Sequence, residues 1–142
     1  METVKQISLS LKNKPGALSA ISDLLGANGI NIIAFYVIAQ GDEGKIHFIA
    51  NDPDRAINVL KTSSHKITVT DVIACETPRH PGGMNAVLKP LKEANINVDY
   101  IYPCVGTGTV TVLILGVTQT KETLDTFKDN WIRVLGDELY HF

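Results

Sequence analysis

The sequence predicts an α+β protein made of two βαββαβ modules in tandem, each a four-stranded antiparallel sheet with both helices on one face. Three observations carry this expectation. The chain matches itself at an offset of 66 residues: Pro15-Gly16 falls on Pro81-Gly82, Ile30-Asn31 on Ile96-Asn97, and, without a gap, Ile7 on Ile73, Leu25 on Leu91 and Tyr36 on Tyr102. A register kept through several elements marks a duplication rather than a chance motif. Residues 6–12 alternate strictly, with Ile7, Leu9 and Leu11 on one side and Gln6, Ser8 and Ser10 on the other, the period of a half-buried strand. Leu18, Ile21 and Leu25 then recur at helical spacing.

The remaining elements follow in order. Pro15-Gly16 opens the first helix, and Asn28-Gly29 stops it, since both residues tolerate the left-handed backbone of a helix C-terminus. Residues 30–40 are β-branched and aromatic and read as a strand, which Gly41-Asp42-Glu43-Gly44 turns back into residues 45–51. Asp52 suits the cap of a second helix with Pro53 at its first position. Residues 66–70 close the first module. The second repeats the order: strand 72–77, helix 83–94, strand 96–104, a turn at Gly106-Thr107-Gly108, strand 109–117, a helix from Lys121 and a last strand from Trp131. Pro90 lies inside that module's first helix and is expected to kink or shorten it. The module boundaries fall at 1–70 and 71–142, with no Gly/Ser or Pro-rich linker between them. The split βαβ order is ferredoxin-like, with helices covering one sheet face and the other left to solvent or a partner.

Composition excludes several classes of function. Charge is balanced along the chain: residues 1–70 hold seven basic and six acidic groups, and residues 71–142 hold six and nine, for a net −2. No basic patch suited to phosphate contacts stands out, which argues against nucleic acid as a partner. The longest apolar run, residues 110–117, is too short to span a membrane, and the start METVKQISLS lacks the apolar core of a signal peptide. With Cys75 and Cys104 alone and no export signal, a cytoplasmic, thiol-reduced protein is expected. The strand between those two cysteines argues against a disulfide. His47, His65, His80 and His141 show no metal-ligand spacing, so neither metal nor cofactor is expected. Trp131, Tyr140 and Phe142 read as core and edge packing.

The stretch Asn13-Lys14-Pro15-Gly16-Ala17-Leu18, followed by Gly29-Ile30-Asn31-Ile32, resembles the signature of the ACT domain, an amino-acid-sensing module of biosynthetic enzymes. The likeness covers the whole first module and, more weakly, the second. A Pro-Gly turn lets a ligand approach backbone N–H groups, and a helix N-terminus favours a carboxylate. Asn31, sixteen residues after Pro15, can offer both a donor and an acceptor. The resemblance implies that polar side chains at Asn13 and Asn31 contact the ligand, within a first site of Asn13, Lys14, Pro15, Gly16, Ala17, Leu18, Asn31, Ile32 and Ile33. The matching positions of the second module are Arg79, His80, Pro81, Gly82, Gly83, Met84, Asn97 and Val98. There Arg79 and His80 replace Asn13 and Lys14, so that pocket binds something else, binds nothing, or uses Arg79 to hold a carboxylate.

The expected function is therefore non-catalytic: a free amino acid held between the loop at 13–18 and the strand start at 31–33 of a neighbouring module, in a homodimer. A close variant is a regulatory subunit docking on a separate biosynthetic enzyme, since the opening repeat resembles the first domain of the small subunit of acetolactate synthase. Two readings from other classes share the fold. An acylphosphatase-like enzyme needs an arginine in its first loop, and Arg79 alone qualifies. An RNA-binding domain of this topology stacks bases on third-strand aromatics, where KIHFIAN and TVTVLIL offer Phe48 alone.

Overall fold

The computed structural model describes residues 2–105, 108 and 110–142. The chain divides into two compact units, Lys5–Thr70 and Asp71–Phe142 with residues 2–4. The first contains β1 (Val4–Lys12), α1 (Ala17–Ala27), β2 (Ile32–Gln40), β3 (Glu43–Ala50), α2 (Pro53–Thr62) and the start of β4 (Ile67–Thr77). The second contains the rest of β4, then α3 (Asn85–Glu93), β5 (Tyr100–Pro103), β6 (Thr111–Gly116), α4 (Thr120–Asp129), β7 (Val134–Leu135) and a 3-10 turn, Asp137–His141. Strand order is β2-β3-β1-β4 in the first unit and β7-β4-β6-β5 in the second, the βαββαβ arrangement expected from the sequence. Strand pairs are antiparallel, with Phe35 opposite Phe48 and Val37 opposite Ile46 in the first unit, and Cys75 opposite Leu113 in the second.

Each unit packs its own core between sheet and helices. Ile7, Leu9, Ile46 and Phe48 meet Ile21, Leu25, Ala56 and Leu60 in the first. Ile73, Cys75, Leu113 and Leu115 meet Val87, Leu91 and Phe127 in the second. These lists expose a detail of the duplication. Ile21 and Leu25 correspond to Val87 and Leu91 at 66 residues, but Ile46, Phe48 and Leu60 correspond to Leu113, Leu115 and Phe127 at 67. One residue has therefore been inserted at the second hairpin, where the turn expected at Gly106-Thr107-Gly108 lies largely outside the described residues.

All four helices end alike. Gly29, Ser64, Asn95 and Trp131 each adopt a positive φ just past the helix. The next amide donates back six residues' span into the last turn: Ile30 to Leu25 O, His65 to Leu60 O, Ile96 to Leu91 O and Ile132 to Phe127 O, all 2.9–3.0 Å. This hydrogen-bond pattern satisfies carbonyls left over at a helix C-terminus. At the other end of α2, the Asp52 side chain accepts from the Arg55 amide and Pro53 occupies the first turn.

Several expectations need correction. The strands expected at 66–70 and 72–77 form one continuous strand, β4. The helix expected at 83–94 begins only at Asn85 and runs through Pro90. Its shortening lies at its start, because residues 81–84 form turns in which Gly83 is pinned against the backbone: a Cβ there would stand 2.0 Å from Pro78 O. The strand expected over 96–104 is confined to β5, since Asn97 and Asp99 are engaged in local side-chain hydrogen bonds. The last strand is two residues long, and Trp131 is not packed but 95% exposed. The sheet face opposite the helices is not simply open, for Ala34 and Ile49 in the first unit and Ala74 and Ile114 in the second are fully buried.

Candidate functional site

The loop between β1 and α1 is built as the sequence suggests. Gly16 sits at φ 88°, a backbone that a side chain would strain, and caps α1 without any side-chain hydrogen bond. The first amides of a helix have no partner inside it; here Ala17 N donates back to Lys14 O at 3.3 Å, and the Leu18 and Ser19 amides have no partner among the described residues. No acidic residue occupies the first turn of α1. Gly82 repeats the geometry at φ 79° in the second unit.

Asn13 does something the sequence did not reveal. Its side-chain amide donates to Gly41 O at 2.7 Å, and its backbone amide to Asp42 O at 2.8 Å, tying the loop to the β2–β3 hairpin. Arg79 makes the equivalent tie in the second unit, donating to Gly108 O at 2.7 Å. The two residues look unlike in sequence yet do one job, and both have committed a donor to the hairpin. Lys14 and Ala17 lie with Asn13 beside a small pocket of about 60 Å³. His80 turns back on itself, with Nδ1 2.9 Å from Pro81 O.

Beside the loop lies a larger cleft of about 300 Å³, lined by Leu18, Ile21, Ser22, Ile32, Phe35, Val37 and Ile46. Phe35 and Val37 share the helix-side face with buried Phe48 and Ile46, but α1 does not reach far enough to cover them. Phe35 is 50% exposed and Leu18 45%, on a unit whose β2 edge pairs with β3 alone. An exposed apolar row beside an unpaired strand edge is a surface that proteins rarely leave bare. Phe35 and Val37 escaped the sequence reading because alternation identifies a face, not how far a helix covers it.

The second half of the expected site stands elsewhere. Asn31 and the loop lie at opposite ends of α1, whose eleven residues span about 16 Å. Within the unit they are not brought together. Asn31 is exposed, and its backbone is held by Asn51, which accepts from its amide at 2.9 Å and donates to its carbonyl at 3.0 Å. Among the described residues its side-chain amide has no hydrogen-bond partner. Ile33 is buried and Ile32 lines the cleft. Asn97 differs from Asn31: its amide donates to Asp99 at 3.1 Å, and Thr118 donates to the same carboxylate. In the second unit Met84 is exposed, and Gly83 O accepts from Thr77 Oγ1 at 2.8 Å, so that loop is drawn inward.

Three titratable groups shifted by burial lie outside this region: His47 and Cys104, both partly buried, and Cys75, fully buried. Burial, and then Lys45, lowers the pKa of His47, whose Nδ1 is 2.7 Å from Ser8 Oγ and whose ring stacks on Tyr36 at 4.5 Å. Burial pushes both thiols up to about 12, Cys75 further helped by its neighbour Cys104, and the two remain free. Among the described residues no three His, Cys, Asp or Glu side chains cluster as a metal site would require. No helix among them is long and apolar enough to cross a membrane.

A duplicated ferredoxin-like unit with a Pro-Gly loop at each first helix defines a tandem sensor-type fold. The chain belongs to the family of ACT domain pairs, whose description matches residues 2–138. Among solved structures it is similar to protein BT0572 from Bacteroides thetaiotaomicron, at 26% identity and a TM-score of 0.93, covering 99% of this chain and 98% of that one. It also resembles the regulatory subunit of aspartate kinase from Thermus thermophilus, in its ligand-free form, at 12% identity and a TM-score of 0.64, over 92% and 93% of the two chains. The corresponding subunit from Thermus flavus gives 13% identity and a TM-score of 0.59, over 92% and 94%. At such identities the two Thermus proteins share the fold. No curated protein matches the chain.

Proposed function

We propose that the protein is a non-catalytic regulatory module that binds a free α-amino acid, held between the loop at 13–18 of one module and residues 31–33 of a neighbouring module on a second copy. The supporting observation is the start of α1, which has a left-handed Gly16, no side-chain cap and no acidic residue, beside an apolar cleft on an unpaired strand edge. The carboxylate would take the Leu18 and Ser19 amides, and the uncommitted Asn31 amide would meet the amino group or a polar side chain. Asn13 serves this site by fixing the loop on Gly41 through its side-chain amide, which leaves its Oδ1 to meet the ligand. Binding at a shared surface would stabilise one association of the copies over another.

The exposed row of Leu18, Phe35 and Val37 also favours a second reading, in which this edge docks on a separate biosynthetic enzyme. An acylphosphatase-like activity has less support, because Arg79, the arginine it would need, is committed to Gly108 O. A thermal-shift screen against the twenty amino acids tests the first reading. A ligand present at 100 times its Kd adds about 2.7 kcal/mol to the folded state. The expected result is at least one amino acid whose stabilising effect is reduced in Asn31→Ala. If none shifts the wild type at millimolar concentration, the amino-acid reading fails and the docking reading takes its place.

A further inference from the structure

A second cleft lies far from the loop residues of the first unit in sequence and is built wholly within Asp71–Phe142. It holds about 360 Å³ between the end of β4, the first turn of α3 and the segment after α4. Pro78, Ala86 and Ile132 make its apolar wall, backed by the buried Val87, and Trp131 stands at the rim, 95% exposed. Glu76 and Arg133 bridge it, with Arg133 Nη1 donating to Glu76 Oε1 at 2.9 Å. The backbones are joined as well, Glu76 N donating to Arg133 O at 3.0 Å, but the side chains make this one contact, leaving Glu76 Oε2 and the Nη2 and Nε groups of Arg133 without a partner among the described residues.

Trp131 is the feature that needs an explanation. Its φ is 60°, and it fills the position that Gly29, Ser64 and Asn95 fill at the other three helix ends. Glycine and asparagine accept the left-handed backbone readily, whereas a bulky side chain there is strained. Nothing in the core compensates, since the indole is almost wholly in solvent. A large aromatic ring held at a strained position on the rim of a cleft that an ion pair also lines is placed for a ligand and not for stability.

We infer that this cleft is a second ligand site, for a zwitterionic α-amino acid with a large apolar side chain. A zwitterion presents both charges to a bridge that presents both in return. Its carboxylate takes the free Arg133 donors, its ammonium takes Glu76 Oε2, and its side chain lies on Pro78, Ala86 and Ile132, against the Trp131 ring. The lining, largely apolar with a few polar groups converging on one point, is that of a small-molecule site, and its volume falls within the usual range of roughly 300–1,000 Å³. The inference does not depend on the reading of the first unit's loop.

The chain has one tryptophan, so fluorescence excited at the indole's red edge reports this cleft alone. The full-length protein is titrated with L-phenylalanine and L-leucine, and with 2-phenylethylamine and 3-phenylpropionate, which each lack one of the two charges. A saturable shift of emission to shorter wavelength is expected with at least one of the amino acids. Each half-ligand binds about tenfold more weakly, and Arg133→Ala weakens the responding amino acid by about the same factor. Arg133→Lys, which keeps the charge but loses the fork, falls between and serves if the alanine variant does not fold. Asn31→Ala leaves the shift unchanged, which separates this site from the one proposed in the first unit. Absence of any shift, equal binding of the half-ligands, indifference to Arg133 substitution, or loss in Asn31→Ala each overturns the proposal.

Discussion

Replacing Trp131 with glycine is expected to stabilise the protein, although it deletes the largest side chain in the sequence. The perturbation acts on the backbone. An L-residue held in the left-handed region costs about 1–2 kcal/mol, and glycine removes that cost. Glycine returns about 0.5–1 kcal/mol through the greater freedom of the unfolded chain. Little packing is lost, because Trp131 is 95% exposed. The net gain is about 0.5–1 kcal/mol, and with an unfolding entropy of about 2.1 cal/mol/K per residue over 142 residues the Tm rises by about 2–3 °C. Far-UV circular dichroism melts measure this without the lost fluorophore. Trp131→Ala is the control, since it removes the ring but keeps the strained φ, and its Tm should stay within about 2 °C of wild type, the shift that about 0.5 kcal/mol produces. A glycine variant that melts lower than wild type, or an alanine variant that gains as much as glycine, would refute the attribution to backbone strain.

Three further predictions concern packing and protonation. Gly83→Ala drives a methyl group into the Pro78 carbonyl at 2.0 Å and should destabilise the second unit by about 3 kcal/mol, read as a lowered denaturation midpoint with unchanged secondary structure before the transition. The lowered pKa of His47 means the folded state prefers the neutral ring, so its contribution is present above the ordinary 6.5 and is lost as pH falls through the folded value; its NMR titration midpoint should lie below 6.5. The thiols carry the opposite sign. With folded values of about 12 against an ordinary 9.0, Cys75 and Cys104 contribute stability that is complete below pH 9 and lost as pH rises towards 12. At pH 8 a thiol-specific disulfide reagent should modify neither in the native protein and both in denaturant, and rapid native labelling of Cys75 would show that its burial is overstated.

Much was legible without coordinates because periodicity and punctuation are local. Alternation at Ile7, Leu9 and Leu11, the stripe of Leu18, Ile21 and Leu25, and the Asp52-Pro53 helix start each express backbone geometry that neighbouring residues dictate. The repeat was visible for the same reason, since identical local patterns at a fixed offset need no knowledge of packing. Gly16 and Gly82 were identified as turn residues, and both adopt the left-handed backbone.

What the residues around those signals do was decided by contacts distant in sequence. Asn13 and Arg79 look like two different ligand groups, but each spends a donor on a hairpin glycine, Gly41 or Gly108, some thirty residues away. Asn31 and Asn97 look equivalent, yet Asp99 occupies one amide and the other is free, because the first unit has Ile33 where the second has Asp99. Trp131 read as core because aromatic residues are usually buried, and only the end of α4 shows it at a helix terminus facing outward. The sequence by itself determined which elements form and in what order, since that depends on each residue's own conformational preferences and its nearest neighbours. The tertiary structure alone decided which polar groups are already satisfied and which remain to meet a ligand, because hydrogen bonding is settled by whatever the fold brings within 3 Å.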